Sequence, residues 1–344
     1  MTKKEQSLDK EKRNIIFTFD HELFLGEKSG TPEKCMFLPY SHLKSVFNEF
    51  SVEKAVFFLD TTYLIRLDKE IKSGLVAVNL MDKIQTHVRE LLEDGHYIFP
   101  HIHPHWLNAE LKENGMWKLT NFSKYCFKNC SSEEMEVIWD KSIKILNRFG
   151  VNDFHKIDAF RAGGWGIQPF KNFKPYFEKH SLVYDFSVMP GMHGYTEAQQ
   201  FDFSDVEWKA QYSFSDVVTE EDKNGSFVEL PISIRRTKDS LREKLLLKYL
   251  WKTGNRSFGD GIGAVPNKID YTPKKIVEGV DMVSLDLINA ANFGEHLQLL
   301  KDRKTIQFLS HPKMLSKHSI KMMKKFLSYA SKHYSLNFDF RDVH

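Results

Sequence analysis

The chain has 344 residues, 41% of them hydrophobic and 28 of them Phe, enough apolar matter to bury a large core and to exclude a disordered protein. Lys and Arg number 49 against 46 Asp and Glu, and the net charge of +3 is too even to signal nucleic-acid binding. The longest apolar runs, such as Ala55–Leu59, fall far short of the roughly 18 residues that a membrane span requires, so none is expected.

In chain order, MTKKEQSLDKEKRN is charged and is followed by no signal-peptide core. Residues 1–13 read as a mobile lead-in and 14–344 as one catalytic domain, with the cytoplasm as the expected compartment. Short β-branched and aromatic runs then alternate with helical stretches. Strands are expected at Asn14–Phe19, Ala55–Asp60, Tyr97–Ile102, Ile157–Arg161, Val183–Val188, Phe227–Ser233 and Thr305–Ser310.

Helices lie between them. Asn79 is placed to cap a helix with Leu80, Ile84, Val88, Leu91 and Leu92 on one side, stopped by Gly95. Ser131 and Glu134 form a capping-box pattern, repeated at Ser240–Glu243, and Ser316 to about His333 supplies a last basic helix. Asn108–Cys130 and Met189–Gly225 read as irregular. Strand-then-helix alternation implies a parallel sheet, and about seven units imply a distorted (β/α) barrel. Cys35, Cys126 and Cys130 fit neither a disulfide framework nor a zinc-ribbon spacing, and are read as reduced thiols.

The residues able to do chemistry gather at the C-terminal ends of these strands, the rim where α/β barrels build their sites. HIHPHW (His101–Trp106) offers three imidazoles in five residues, a set that suits Zn²⁺ once a carboxylate joins it. Asp20 and Glu22 follow the first strand, and alternate residues of an extended chain share a face. One can then ligate while the other takes a proton from the attacking water. Arg161 in FRAGGWG can clamp a carboxylate, and the paired glycines let backbone N–H groups approach a substrate oxygen. His311 ends the seventh strand, where Asp185 is the partner considered for its tautomer.

Taken together, TFDHE (Thr18–Glu22), GHYIFPHIHPH (Gly95–His105), FRAGGW (Phe160–Trp165), YDFSV (Tyr184–Val188) and LSHP (Leu309–Pro312) resemble the five motifs of the polysaccharide deacetylases, the NodB-homology or carbohydrate esterase family 4 group. The resemblance implies His101 and His105 as metal ligands and Asp20 as catalytic base. It further implies Arg161 to orient that base, His311 as acid and Asp185 to support it. Where the family has adjacent aspartates this chain has Asp20-His21, so Glu22 is expected as third ligand, with His21 the alternative. Arg161-Ala162-Gly163 replaces Arg-x-Pro, which leaves Gly164 or Trp165 as backbone donor. The implied reaction removes an acetyl group from a sugar with a zinc-like ion, on a surface-polysaccharide precursor, and Trp106 and Trp165 are expected to stack on the carbohydrate. Hydrolysis of another bond, such as a cyclic amide or a phosphate ester, is the alternative; so is a non-catalytic carbohydrate-binding relative.

Overall fold

The computed structural model describes residues 10–113, 115–196, 199–236, 245–246, 248–250, 255–263 and 280–343. Its frame is a nine-stranded sheet: β1 (Lys12–His21), β2 (Val56–Asp60), β3 (Tyr97–Ile102), β4 (Ala159–Ala162), β5 (Tyr184–Asp185), β6 (Tyr212–Phe214), β7 (Phe227–Glu229), β8 (Thr305–Ser310) and β9 (Ser335–Asn337). The order is β6-β7-β5-β4-β3-β2-β1-β8, with β9 beside the start of β1. Every pairing is parallel except β6 with β7. All seven expected strands are present. Four are shorter than expected, two of them by one residue, and beyond β7 Pro231 lacks the N–H that a ladder needs.

The sheet curls. Arg161 on β4 donates to Thr18 on β1 over 2.8 Å, although those strands stand three places apart in the order. In a flat sheet they would be about 14 Å apart. Among the described residues no strand of the main sheet closes the ring, although Ile234–Arg236 and Val280–Met282 form a short antiparallel ladder beside the gap. Instead Ile232 N–H donates to Val188, Val283 to Ser233, and Leu309 of β8 to Val283, so irregular chain bridges the gap. The interior below the rim is apolar, with Ile16, Phe58, Phe99, Phe186 and Leu230 packed on Phe340 and Val343 from the C-terminus.

Around the sheet run α1 (Leu38–Phe50), α2 (Thr61–Lys72), α3 (Asn79–Glu93), α4 (Ser132–Arg148), α5 (Lys174–Lys179), α6 (Phe293–Asp302) and α7 (Lys317–His333). Alternation on β1 is strict: Ile15, Phe17 and Phe19 face the helices while Ile16, Thr18 and Asp20 face inward. The Ser131–Glu134 capping box forms as read, and Ser316 caps α7. Asn79 does not cap α3; Val78 holds that position, and Asn79 is the first helical residue.

The lead-in ends earlier than expected, because Lys12 and Arg13 already pair with Ser335 and Leu336. Residues 1–9, and Ser240–Glu243 with its expected helix start, lie outside the described residues. The two irregular segments carry small two-stranded ladders, Glu110–Leu111 with Trp117–Lys118 and His193–Tyr195 with Gln200–Asp202. Among the described residues no helix is long and apolar enough to cross a membrane.

Candidate metal centre

β1 delivers Asp20 and, one step past its end, Glu22 to the barrel mouth. His21 between them turns to the helix side, where its Nε2 lies 3.0 Å from that of His87 behind a buried aromatic layer. This placement rules His21 out as the alternative ligand in the described conformation. Across the mouth, β3 ends with His101. Its Nδ1 sits 2.8 Å from the Arg161 carbonyl, which can only accept, so Nδ1 carries the proton and Nε2 presents a lone pair.

The atoms that converge belong to Glu22, His101 and His103, all within 4.8 Å of one another. The Nε2 atoms of His101 and His103 are 3.0 Å apart, and Glu22 Oε2 stands 3.7 Å from the first and 3.1 Å from the second. The expected pairing of His101 with His105 is therefore not the one assembled. In an extended chain residue i+2 shares a face with residue i, which places His103 with His101, and the turn begun by Pro104 then carries His105 aside. His105 lies next door, its ring 5.4 Å from that of His103 and 5.0 Å from Tyr125, with both ring nitrogens buried and unpartnered.

The donor set fits a divalent cation. No hydrogen bond of good geometry satisfies the buried Glu22 Oε2, although His103 is close, and two imidazole nitrogens point at the same space. A buried carboxylate oxygen and two imidazoles are ligands that suit Zn²⁺.

Two cations hold the carboxylates ionised. Arg161, fully buried, donates from Nη1 to Asp20 over 2.7 Å, from Nη2 to Thr18 and from Nε to the Phe186 carbonyl. Lys313, also buried, donates to Glu22 Oε1 over 2.9 Å and to the Leu23 carbonyl over 2.7 Å. Burial alone would raise both acids. Arg161, then His101 and His311, bring Asp20 below its ordinary value, and Lys313 with His103 brings Glu22 well below. Burial pushes His101 down and His105 well down, so both rings are neutral, the ligating form.

On the far side of the mouth, His311 Nε2 lies 3.7 Å from Asp20 and 3.9 Å from Glu22. Its Nδ1 pairs with Asp286 over 2.8 Å, and Asp286 also accepts from the His311 backbone N–H. Burial lowers this histidine, but its bond to Asp286 and the charges of Asp286 and Asp20 outweigh it, and the net shift is upward.

Asp185 does not support His311. It accepts from the backbone and hydroxyl of Ser187 and lies opposite Glu229 on the helix side of the sheet. Its β5 position points it away from the interior that Arg161 occupies. Trp106 is likewise misplaced as a stacking platform: it is fully buried against Tyr63 and Trp117. Gly164 and Trp165 form a left-handed turn at φ 60° and 58°. A Cβ on Gly164 would sit 2.5 Å from Tyr125, so only glycine fits there. Trp165 is half-buried against Phe201.

Sequence reasoning missed Asp286, Lys313 and the choice of His103. Asp286 ends VSLD, a short alternating run like those of the other strands, and that run was the available signal. Nothing near Lys313 in the chain distinguishes it from other lysines.

No family model matches the chain, and no curated protein does. Among solved structures it is similar to a 4-alpha-glucanotransferase from Thermococcus litoralis, with a TM-score of 0.44 and 13% identity over 94% of this chain and 37% of that one. It is also similar to a probable polysaccharide deacetylase from Pseudomonas aeruginosa PAO1, with a TM-score of 0.44 and 10% identity over 96% of this chain and 88% of that one. Likenesses this distant decide neither fold nor chemistry, which rest on the geometry above.

Proposed function

We propose that residues 14–344 act as one metal-dependent hydrolase that removes an acetyl group from a sugar, with Glu22, His101 and His103 as ligands and His105 within reach of the same ion. The convergence of those three side chains beside an Arg-clamped Asp20 carries the reading. A bound zinc-like ion supplies Lewis acidity for a carbonyl oxygen. Asp20, ionised and 3.8 Å from His101, takes the proton of an attacking water. His311, held in one tautomer by Asp286, gives its Nε2 proton to the departing amine or alcohol, and its raised pKa keeps that proton available.

The backbone turn at Gly164–Trp165 is the proposed donor to the carbonyl oxygen, with the Trp165 ring against the sugar. The surface-polysaccharide precursor and the cytoplasm are the proposed substrate and setting, in keeping with the free thiols of Cys35, Cys126 and Cys130.

Metal analysis of the freshly purified protein, followed by assays on acetylated amino sugars and on cyclic amides, tests this. One zinc-like ion per chain and acetate release are expected, and both should vanish in the double variant His101→Ala, His103→Ala. Turnover of cyclic amides alone would favour the other amide hydrolase. Absence of an ion together with full stability in chelator would favour a non-catalytic binding protein.

A further inference from the structure

Away from the barrel mouth, the outer faces of α2 and α4 enclose a groove of about 770 Å³ lined by Arg66, Lys69, Lys72, Lys141, Lys144 and Arg148. Asp68 is the one carboxylate in its lining, and it is already shared between Lys72 and Arg148 at 2.6 and 3.0 Å. Arg66 pairs with Glu70 at 2.8 Å. Lys69, Lys141 and Lys144 have no acidic partner within ion-pair distance among the described residues, and all three are exposed.

Basic residues gather at helix C-termini to complement the helix dipole, and Lys69, Lys72 and Arg148 fall in last turns. Arg66, Lys141 and Lys144 do not. On α4 the spacing Lys141, Lys144, Arg148 is one helical stripe, and it faces the stripe Arg66, Lys69, Lys72 on α2. Three of the four acids of α4 are spent elsewhere, Glu136 and Asp140 on Lys179 and Glu134 on Lys124, and Glu133 lies in the first turn, away from the groove lining. Two cationic stripes turned toward one another repel unless an anion lies between them. Apolar Ile65, Leu107 and Ile145 also line the groove and can take a flat ring.

We infer that this groove binds a small organic phosphate, a diphosphate with a ring attached, whose oxygens bridge Lys69 on one helix and Lys141 and Lys144 on the other. Its concave walls suit a small molecule better than the plane of a membrane. The site also touches the segment that carries the candidate ligands, because Arg66 donates to the carbonyl of Leu107, two residues beyond His105.

Isothermal titration of the full-length protein with inorganic pyrophosphate and with uridine diphosphate tests the inference. Chelator is present throughout, so no metal-borne phosphate contact contributes and the result is independent of the proposed hydrolysis. Both probes should bind, uridine diphosphate more tightly, and more weakly as salt rises. Lys141→Glu with Lys144→Glu should weaken both by well over tenfold, on the order of one decade for each phosphate bond lost. Lys69→Glu should do so by about tenfold, and circular dichroism should show all variants folded. The inference fails if neither probe binds at millimolar concentration, or if the folded variants bind as the wild type does. Binding to anionic lipid vesicles without binding of either probe would also overturn it.

Discussion

Two pairs of buried acids sit on opposite faces of the same sheet and have opposite fates. Asp20 and Glu22 face the mouth, and both are held below the ordinary carboxylate range. Asp185 and Glu229 stand opposite one another on β5 and β7, and both are pushed up, Glu229 strongly. Burial acts on all four in the same direction. The neighbours differ: Arg161 and Lys313 donate to the first pair, whereas Ser187 and the Val188 N–H serve the second. A buried carboxylate in this protein is thus held low where a fixed cation donates directly to it, and is pushed up where the Arg161 charge acts only from a distance. Burial comes first in holding Glu229 up, and the charge of neighbouring Asp185 adds to it.

The contrast can be broken first at the base. Asp20→Asn should leave the ion bound yet lower turnover by about 10²–10⁴-fold, measured as acetate release alongside metal content. Wild-type turnover in that variant would remove Asp20 from the mechanism. Next, Lys313→Met should weaken metal binding by about 10–100-fold in a competition titration with a chromogenic chelator, because Glu22 loses the donor that fixes its Oε1. Lys313→Arg should restore part of it. Unchanged affinity in the Met variant would mean that the cation does not prepare Glu22.

Asp286→Asn should act through pH. His311 is raised above its ordinary value, so an acid role is lost as pH climbs through that raised pKa. Without the Asp286 charge and hydrogen bond the alkaline limb of the rate profile should move to lower pH. An unmoved limb would detach His311 from proton transfer.

Smallest is the effect at the Asp185–Glu229 pair. Folded Glu229 keeps a proton that the unfolded chain releases above about pH 4.5, so wild-type stability declines as pH rises from there toward the folded value. Glu229→Gln should flatten that decline between pH 5 and 8 in urea unfolding, with activity retained. A decline of unchanged slope would show that the pair is not the source.

What the sequence made legible follows the range of the forces involved. Strand positions were visible because each strand is a local apolar run bounded by turn residues, and Asp20, Glu22 and His101 were visible because strand ends gather at one rim. The roles of His103 and His105 turn on where Pro104 stops the strand, a distinction of one residue. Asp185 was misassigned because a two-residue strand gives no reliable alternation, and its outward face appears only once β7 is beside it. Lys313 reaches Glu22 across 291 positions of chain and no local pattern marks it, whereas Asp286 carries only the short alternating run VSLD as a local signal.

The ring's irregular closure has its own outcome for how the protein ages and warms. Asp286 hangs from the stretch that follows the short Val280–Met282 ladder and joins β8 through the single backbone bond from Leu309 to Val283. Such seams open at lower free energy than the strands they join. On the proposed mechanism, the partner that holds the acid His311 therefore hangs from a part of the wall outside the main parallel ladder.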